Sequence, residues 1–238
     1  MLEVRDRLIV ALDVPSAAQA RQVVATLGET VITYKIGKQL FTAEGPGIVR
    51  DLVSSGRKVF LDLKFHDIPN TVAGAVKSAA ELGVAMLTVH ASGGSEMLKA
   101  AVEAAGQSAA KPMILAVTVL TSMSDSDLQE TGVSGNVLTQ VLRLGALARS
   151  AGCGGLVASA HEARELRREL GEGFEIVTPG VRPAGASKGD QSRVLTPAEA
   201  VRAGATRLVV GRPILEADDP LNVAAEIVNE INAVKVIV

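Results

Sequence analysis

Asp62, Lys64 and Asp67 lie in the run Asp62-Leu63-Lys64-Phe65-His66-Asp67-Ile68-Pro69-Asn70-Thr71, directly after the apolar segment Lys58-Val59-Phe60-Leu61. Positions two apart on a strand share a face, so Asp62 and Lys64 point the same way, while Asp67 falls beyond the strand on the turn that Pro69 and Asn70 impose. Charges placed there either pair with one another or do chemistry. With Lys35 added, Lys35, Asp62, Lys64 and Asp67 alternate in sign, and opposite neighbours keep each other ionised in a partly dry site. For any single pair a structural ion pair is the plain reading. Taking four charges out of water, however, adds little to stability compared with apolar packing, which favours a chemical use. Lysine is the only evident proton donor in the group.

A second constellation suits an anion. Arg182 follows the turn Thr178-Pro179-Gly180-Val181, and Arg212 sits in Val210-Gly211-Arg212-Pro213. Arginines beside glycine turns, where backbone amides are accessible, form phosphate cradles, and Gln191 in the loop between them offers a neutral donor. His66, His90 and His161 show no metal-ligand spacing with Cys153 or with paired carboxylates, so a zinc site is not expected, and His90 at a strand end suits a structural role. No Gly-x-Ser-x-Gly or Ser/His/Asp arrangement points to acyl transfer.

Eight β-rich runs could hold these residues: 8–14, 32–37, 58–65, 85–91, 113–120, 155–159, 175–181 and 207–211. Helix-compatible segments separate them, at 16–27, 47–54, 70–82, 94–105, 135–150, 160–170, 196–203 and 220–233. Ser16 is an N-cap candidate; Val72, Val76, Ala79 and Ala80 share one face of a helix that Gly83 ends. Unbroken strand–helix alternation predicts parallel strands, and eight units suit a closed (β/α)8 TIM barrel, one α/β domain over residues 1–238. A doubly wound sheet is the structural alternative, weakened because the first turn, Asp13-Val14-Pro15-Ser16, lacks a glycine-rich dinucleotide fingerprint. In a barrel the C-terminal strand ends carry the active site, which collects Asp13, Lys35, Asp62, Lys64, His90, Thr121, Ser122, Arg182 and Arg212 at one rim. Two connections there, 121–134 and 182–193, are long, rich in turn residues and expected to be structureless closing loops.

Composition narrows the partners. With 47% hydrophobic and 21% charged residues among 238, a sizeable core is available. Aromatics amount to 2%, with no Trp and Tyr34 the one Tyr, which argues against a stacking platform for nucleic acid. A net charge of −2 without a basic run marks neither a polyanion nor a membrane surface. Cys153 stands alone, in a setting of small residues that suggests packing rather than reactivity. No signal-peptide pattern and no long apolar run is evident, so a cytoplasmic protein is expected.

Ala11-Leu12-Asp13, Tyr34-Lys35-Ile36-Gly37, Asp62 through Thr71, Val117-Thr118-Val119-Leu120-Thr121-Ser122, Thr178 through Arg182 and Val210 through Pro213 together resemble the orotidine 5′-phosphate decarboxylase family in its bacterial single-function form. A bare Asp-x-Lys-x-x-Asp is shared by related sugar-phosphate barrels; the whole run plus both phosphate elements is far more specific. The resemblance covers nearly the whole chain. It implies conversion of orotidine 5′-monophosphate to uridine 5′-monophosphate and CO2, the last step of de novo pyrimidine synthesis, without metal or organic cofactor. It makes Lys64 the proton donor to C6 and puts Asp62 beside the substrate carboxylate, with Lys35 and Asp67 completing the array. Asp13 and Lys35 would hold ribose hydroxyls, Thr121 the pyrimidine amide, and Arg182, Gln191, Arg212 and the Gly211 amide the phosphate. It carries the whole run Asp62, Leu63, Lys64, Phe65, His66, Asp67, Ile68, Pro69, Asn70 and Thr71 into substrate binding, and implies a homodimer in which Asp67 and Thr71 reach the partner's site. The competing expectations are a metal-dependent sugar-acid-phosphate decarboxylase or aldolase of a related barrel, and a catalytically silent phosphate-binding barrel.

Overall fold

The computed structural model describes residues 4–183 and 195–234. Eight parallel strands close on themselves in chain order: β1 (Leu8–Ala11), β2 (Thr33–Gly37), β3 (Lys58–Phe65), β4 (Met86–His90), β5 (Met113–Val117), β6 (Gly155–Val157), β7 (Glu175–Pro179) and β8 (Arg207–Val210). Closure is made by β1 against β8, with Ile9 opposite Val209. The barrel expected from the alternation is therefore present, and the open doubly wound sheet is not. Four of the eight expected strands, the first, fifth, sixth and seventh, run two or three residues too far at their C-terminal ends. Parallel pairing stops where the chain turns outward, although the apolar pattern continues.

Period-two alternation builds two apolar layers. Ile9, Ala11, Phe60, Met86, Leu115, Val177 and Val209 form the filling of the barrel. Their neighbours Leu8, Val10, Tyr34, Ile36, Val59, Leu61, Leu87, Val89 and Ile176 belong to the layer beneath the helices. The same parity turns Lys35, Asp62, Lys64, Thr88 and Gly211 toward the barrel axis. Position along the strand then decides which of them reach the C-terminal mouth.

Helices form where local chemistry supports them. Ser16 caps the helix Ala17–Leu27 by accepting a hydrogen bond from the Gln19 amide. The helix Pro69–Ala80 begins with proline, whose missing N–H is an orphan position in any case, and buries Val72, Val76, Ala79 and Ala80 as the periodicity predicts. Thr196 and Glu199 make a reciprocal capping box on the helix Pro197–Arg202. Two helices, Lys38–Glu44 and Arg212–Leu215, lie where the sequence suggested only connections. The expected structureless loop 121–134 is also corrected: it holds the helix Asp125–Glu130, capped by Ser124 and Asp127 in a second capping box. Six residues are too short for an apolar period to register, so only the cap signals it. Most of the second expected loop, from 184 onward, lies outside the described residues.

Candidate active site

Three strand ends contribute one continuous row of charge. The Lys35 ammonium lies 2.8 Å from Asp13 Oδ1 and 4.0 Å from Asp62 Oδ2. Lys64 Nζ donates to both oxygens of Asp62 at 2.8 Å. Asp13, Lys35, Asp62 and Lys64 thus alternate in sign across the ends of β1, β2 and β3. The side chains of Lys35, Asp62 and Lys64 are 11%, 13% and 25% exposed, so these are not surface pairs of negligible energy. Each charge lies against one of opposite sign, which offsets part of the cost of taking it out of water. Thr88, one strand further round, adds a hydrogen bond from its hydroxyl to Asp62 Oδ1 at 3.0 Å.

Room for the row comes from glycine. A Cβ at Gly37 would stand 3.1 Å from Lys35 Nζ and 3.4 Å from Asp13 Oδ1, so a side chain there would press on the ion pair. Gly37 and Thr88 were not singled out as site residues by sequence. Gly37 was visible only as part of a motif, and Thr88 only through its inward parity.

The row forms one wall of a cavity of about 280 Å³ at the C-terminal mouth. Its apolar lining includes Phe60, Val117, Val157 and Val209, and Thr121 stands exposed at its rim. On the β7–β8 side it is bounded by Gly180, Arg182, Gly211 and Arg212. Arg182 is only 7% exposed, and its Nε has no hydrogen-bond partner among the described residues. The Nε atoms of Arg57 and Arg207 share that condition; Arg182 differs in bounding the cavity, where its guanidinium is placed to meet an anion. Arg212 is exposed and opens the helix Arg212–Leu215.

Asp13, Lys35, Asp62, Lys64, Thr121, Arg182, Gly211 and Arg212 therefore meet around one cavity. The rest of the run after Asp62 does not line it. Leu63 and Phe65 pack on the layer beneath the helices. Asp67 is exposed, its carboxylate accepting a 2.7 Å hydrogen bond from the Ile68 amide. His66, Ile68, Pro69, Asn70 and Thr71 are exposed on the turn and the first turn of the following helix, with Ile68 at 66%. His66 and His90 face each other with ring centroids 5.4 Å apart. Burial, followed by His66, Lys64 and Lys38, lowers the His90 pKa against the opposing pull of Asp62, which keeps that ring neutral at pH 7. Gln191 lies outside the described residues. Among the described residues no cluster of three or more His, Cys, Asp or Glu side chains is arranged to hold a metal ion.

The family model described as "Orotidine 5'-phosphate decarboxylase / HUMPS family" matches residues 6–227. Orotidine 5′-phosphate decarboxylase of Alkalilimnicola ehrlichii is 54% identical over 227 residues, covering 95% of this chain and 97% of that protein. The enzyme of the same name from Afipia carboxidovorans is 55% identical over 227 residues, covering 95% of each chain. The crystal structure of orotidine 5′-phosphate decarboxylase from Lactobacillus acidophilus superposes with a TM-score of 0.86 at 38% identity, covering 96% of this chain and all of that one. Likeness in barrel fold and in sequence extends over almost the whole length, and on that ground the chain belongs to the orotidine 5′-phosphate decarboxylase / HUMPS family.

Proposed function

We propose that this protein decarboxylates orotidine 5′-monophosphate to uridine 5′-monophosphate and CO2, the step that ends de novo pyrimidine synthesis. The observation that carries the reading is the Asp13–Lys35–Asp62–Lys64 row facing a cavity whose β7–β8 side presents a buried arginine with a partnerless Nε. The bond between C6 and the carboxylate breaks, the electron pair stays on C6, and Lys64 delivers a proton there. No carbonyl adjoins C6 to delocalise that pair, so a fixed ammonium is the group that can stabilise the developing charge and then quench it. Asp62 beside the departing carboxylate repels it in the bound state, and the repulsion disappears with CO2. Lys64 regains its proton from solvent after product leaves.

Arg182, Arg212 and the Gly211 amide hold the phosphate, with Gln191 as a further donor, and Thr121 meets the pyrimidine amide. Asp13 and Lys35 take the ribose hydroxyls, Lys35 also fixing Asp62. Phosphate binding, remote from the broken bond, supplies energy for placing the carboxylate against Asp62. Asp67 and Thr71 serve the partner's site in a homodimer; their exposure outside their own cavity, beside the uncovered Ile68, supports this. The chain functions as one barrel domain, and a cytoplasmic location accords with the absence, among the described residues, of any helix long and apolar enough to cross a membrane.

A related barrel using a metal-bound enediolate would need carboxylates free to ligate. Asp13 and Asp62 each hold a lysine ammonium at 2.8 Å instead. The deciding assay follows loss of substrate absorbance with orotidine 5′-monophosphate in excess chelator. Undiminished turnover is expected. No turnover with or without metal would overturn the reading in favour of a silent binding barrel, and turnover only with added Mg²⁺ would favour the enediolate barrel.

A further inference from the structure

The ladder between β3 and β4 is regular up to Leu61 opposite Leu87 and resumes at Phe65 opposite Val89. Between those points β3 has Asp62, Leu63 and Lys64, whereas β4 has Thr88 alone. An insertion of two residues preserves parity, so Asp62 and Lys64 still face inward while the backbone bulges. Lys64 takes up the bulge with φ of +55°, a conformation that among the described non-glycine residues only Lys111 shares. Its amide donates to Thr88 Oγ1 at 2.9 Å.

Thr88 is completely buried, and its hydroxyl is committed twice. An amide can only donate and an ionised carboxylate can only accept, so Oγ1 receives the Lys64 N–H and passes its own hydrogen to Asp62 Oδ1. One atom therefore ties the backbone of the ammonium-bearing residue to the carboxylate that faces it. Burial by itself does not produce this, because the buried hydroxyls of Thr33 and Thr178 have no partner among the described residues. Thr88 is also absent from the cavity lining, so it acts through its neighbours rather than on a ligand.

We propose that Thr88 is a positioning residue of this active site, its hydroxyl holding the strained Lys64 backbone and the Asp62 carboxylate in the arrangement that aims the ammonium at the reacting carbon. The inference rests on the reading of Lys64 as proton donor. Valine matches threonine in shape but supplies no hydrogen bond, leaving the Lys64 amide buried without an acceptor and Asp62 Oδ1 one donor short.

The test compares Thr88→Val and Thr88→Ser in the full chain. Thr88→Val should lower kcat roughly 10- to 100-fold, the scale of a small misplacement of reacting groups. Affinity for uridine 5′-monophosphate should persist, because the phosphate contacts lie on the β7–β8 side. Thr88→Ser should restore most of the turnover. Hydrogen exchange at the Lys64 amide supplies a readout besides activity: faster in Thr88→Val, parental in Thr88→Ser. Parental kcat in Thr88→Val, or equal damage in both variants, would overturn the proposal. If the parent itself fails to turn over orotidine 5′-monophosphate, the proposed activity falls, and unchanged Lys64 exchange in Thr88→Val would separately refute the positioning.

Discussion

Replacing Arg182 by methionine separates a structural arginine from one kept for a ligand. Methionine retains much of the apolar stem and removes the guanidinium. Arg182 is 7% exposed and its Nε is unsatisfied among the described residues, so in the ligand-free protein that nitrogen is desolvated without a hydrogen bond in return. Removing the charge should leave the thermal midpoint of the ligand-free protein unchanged or higher. Binding should move the other way. A hydrogen bond to a charged group contributes about 1.5–3 kcal/mol. At about 1.4 kcal/mol per tenfold, its loss weakens uridine 5′-monophosphate roughly 10- to 100-fold. Calorimetric titration gives the affinity and a thermal scan with and without nucleotide gives the stability. The thermal shift produced by the nucleotide should shrink accordingly. A destabilised ligand-free protein with unchanged nucleotide affinity would refute the argument and make Arg182 structural.

Other expectations test the remaining parts of the site. Lys64→Ala should abolish decarboxylation while leaving affinity for uridine 5′-monophosphate largely intact; retention of most turnover in a steady-state assay would remove Lys64 from its role. Mixing Lys64→Ala with Asp67→Ala subunits should recover activity, since each heterodimer would carry one intact site, and exchanging mixtures that recover nothing would place Asp67 in its own chain's chemistry. Cys153 is buried, and burial pushes its thiol up to about 12, so a thiol reagent at about pH 8 should label it no faster than the protein opens. The raised value also has a sign for stability. The folded state holds that proton more tightly than the unfolded chain, so this contribution is present below the ordinary thiol pKa and is lost as pH rises toward 12, measurable as a falling alkaline denaturation midpoint.

Much of the site was legible because it depends on local order. Apolar runs separated by amphipathic segments specify strands and helices, and their unbroken alternation specifies parallel closure. Once strand ends are located, Asp13, Lys35, Asp62, Arg182 and Arg212 must gather at one mouth, as the cavity lining shows. The short helices Lys38–Glu44, Asp125–Glu130 and Arg212–Leu215 escaped because one or two turns carry too few apolar positions to establish a period.

What the amino-acid order determined alone was which residues of a strand share a face, since parity is a property of a single strand. What only the tertiary structure decided was how neighbouring strands meet. The skipped register between β3 and β4, the positive φ at Lys64 and the hydroxyl that Thr88 lends to it all arise from pairing across 24 residues of chain. Arg182 is similar, since a guanidinium after a glycine turn looks alike in sequence whether solvent or a closed wall surrounds it. Register and burial depend on partners distant along the chain, and no local pattern encodes them.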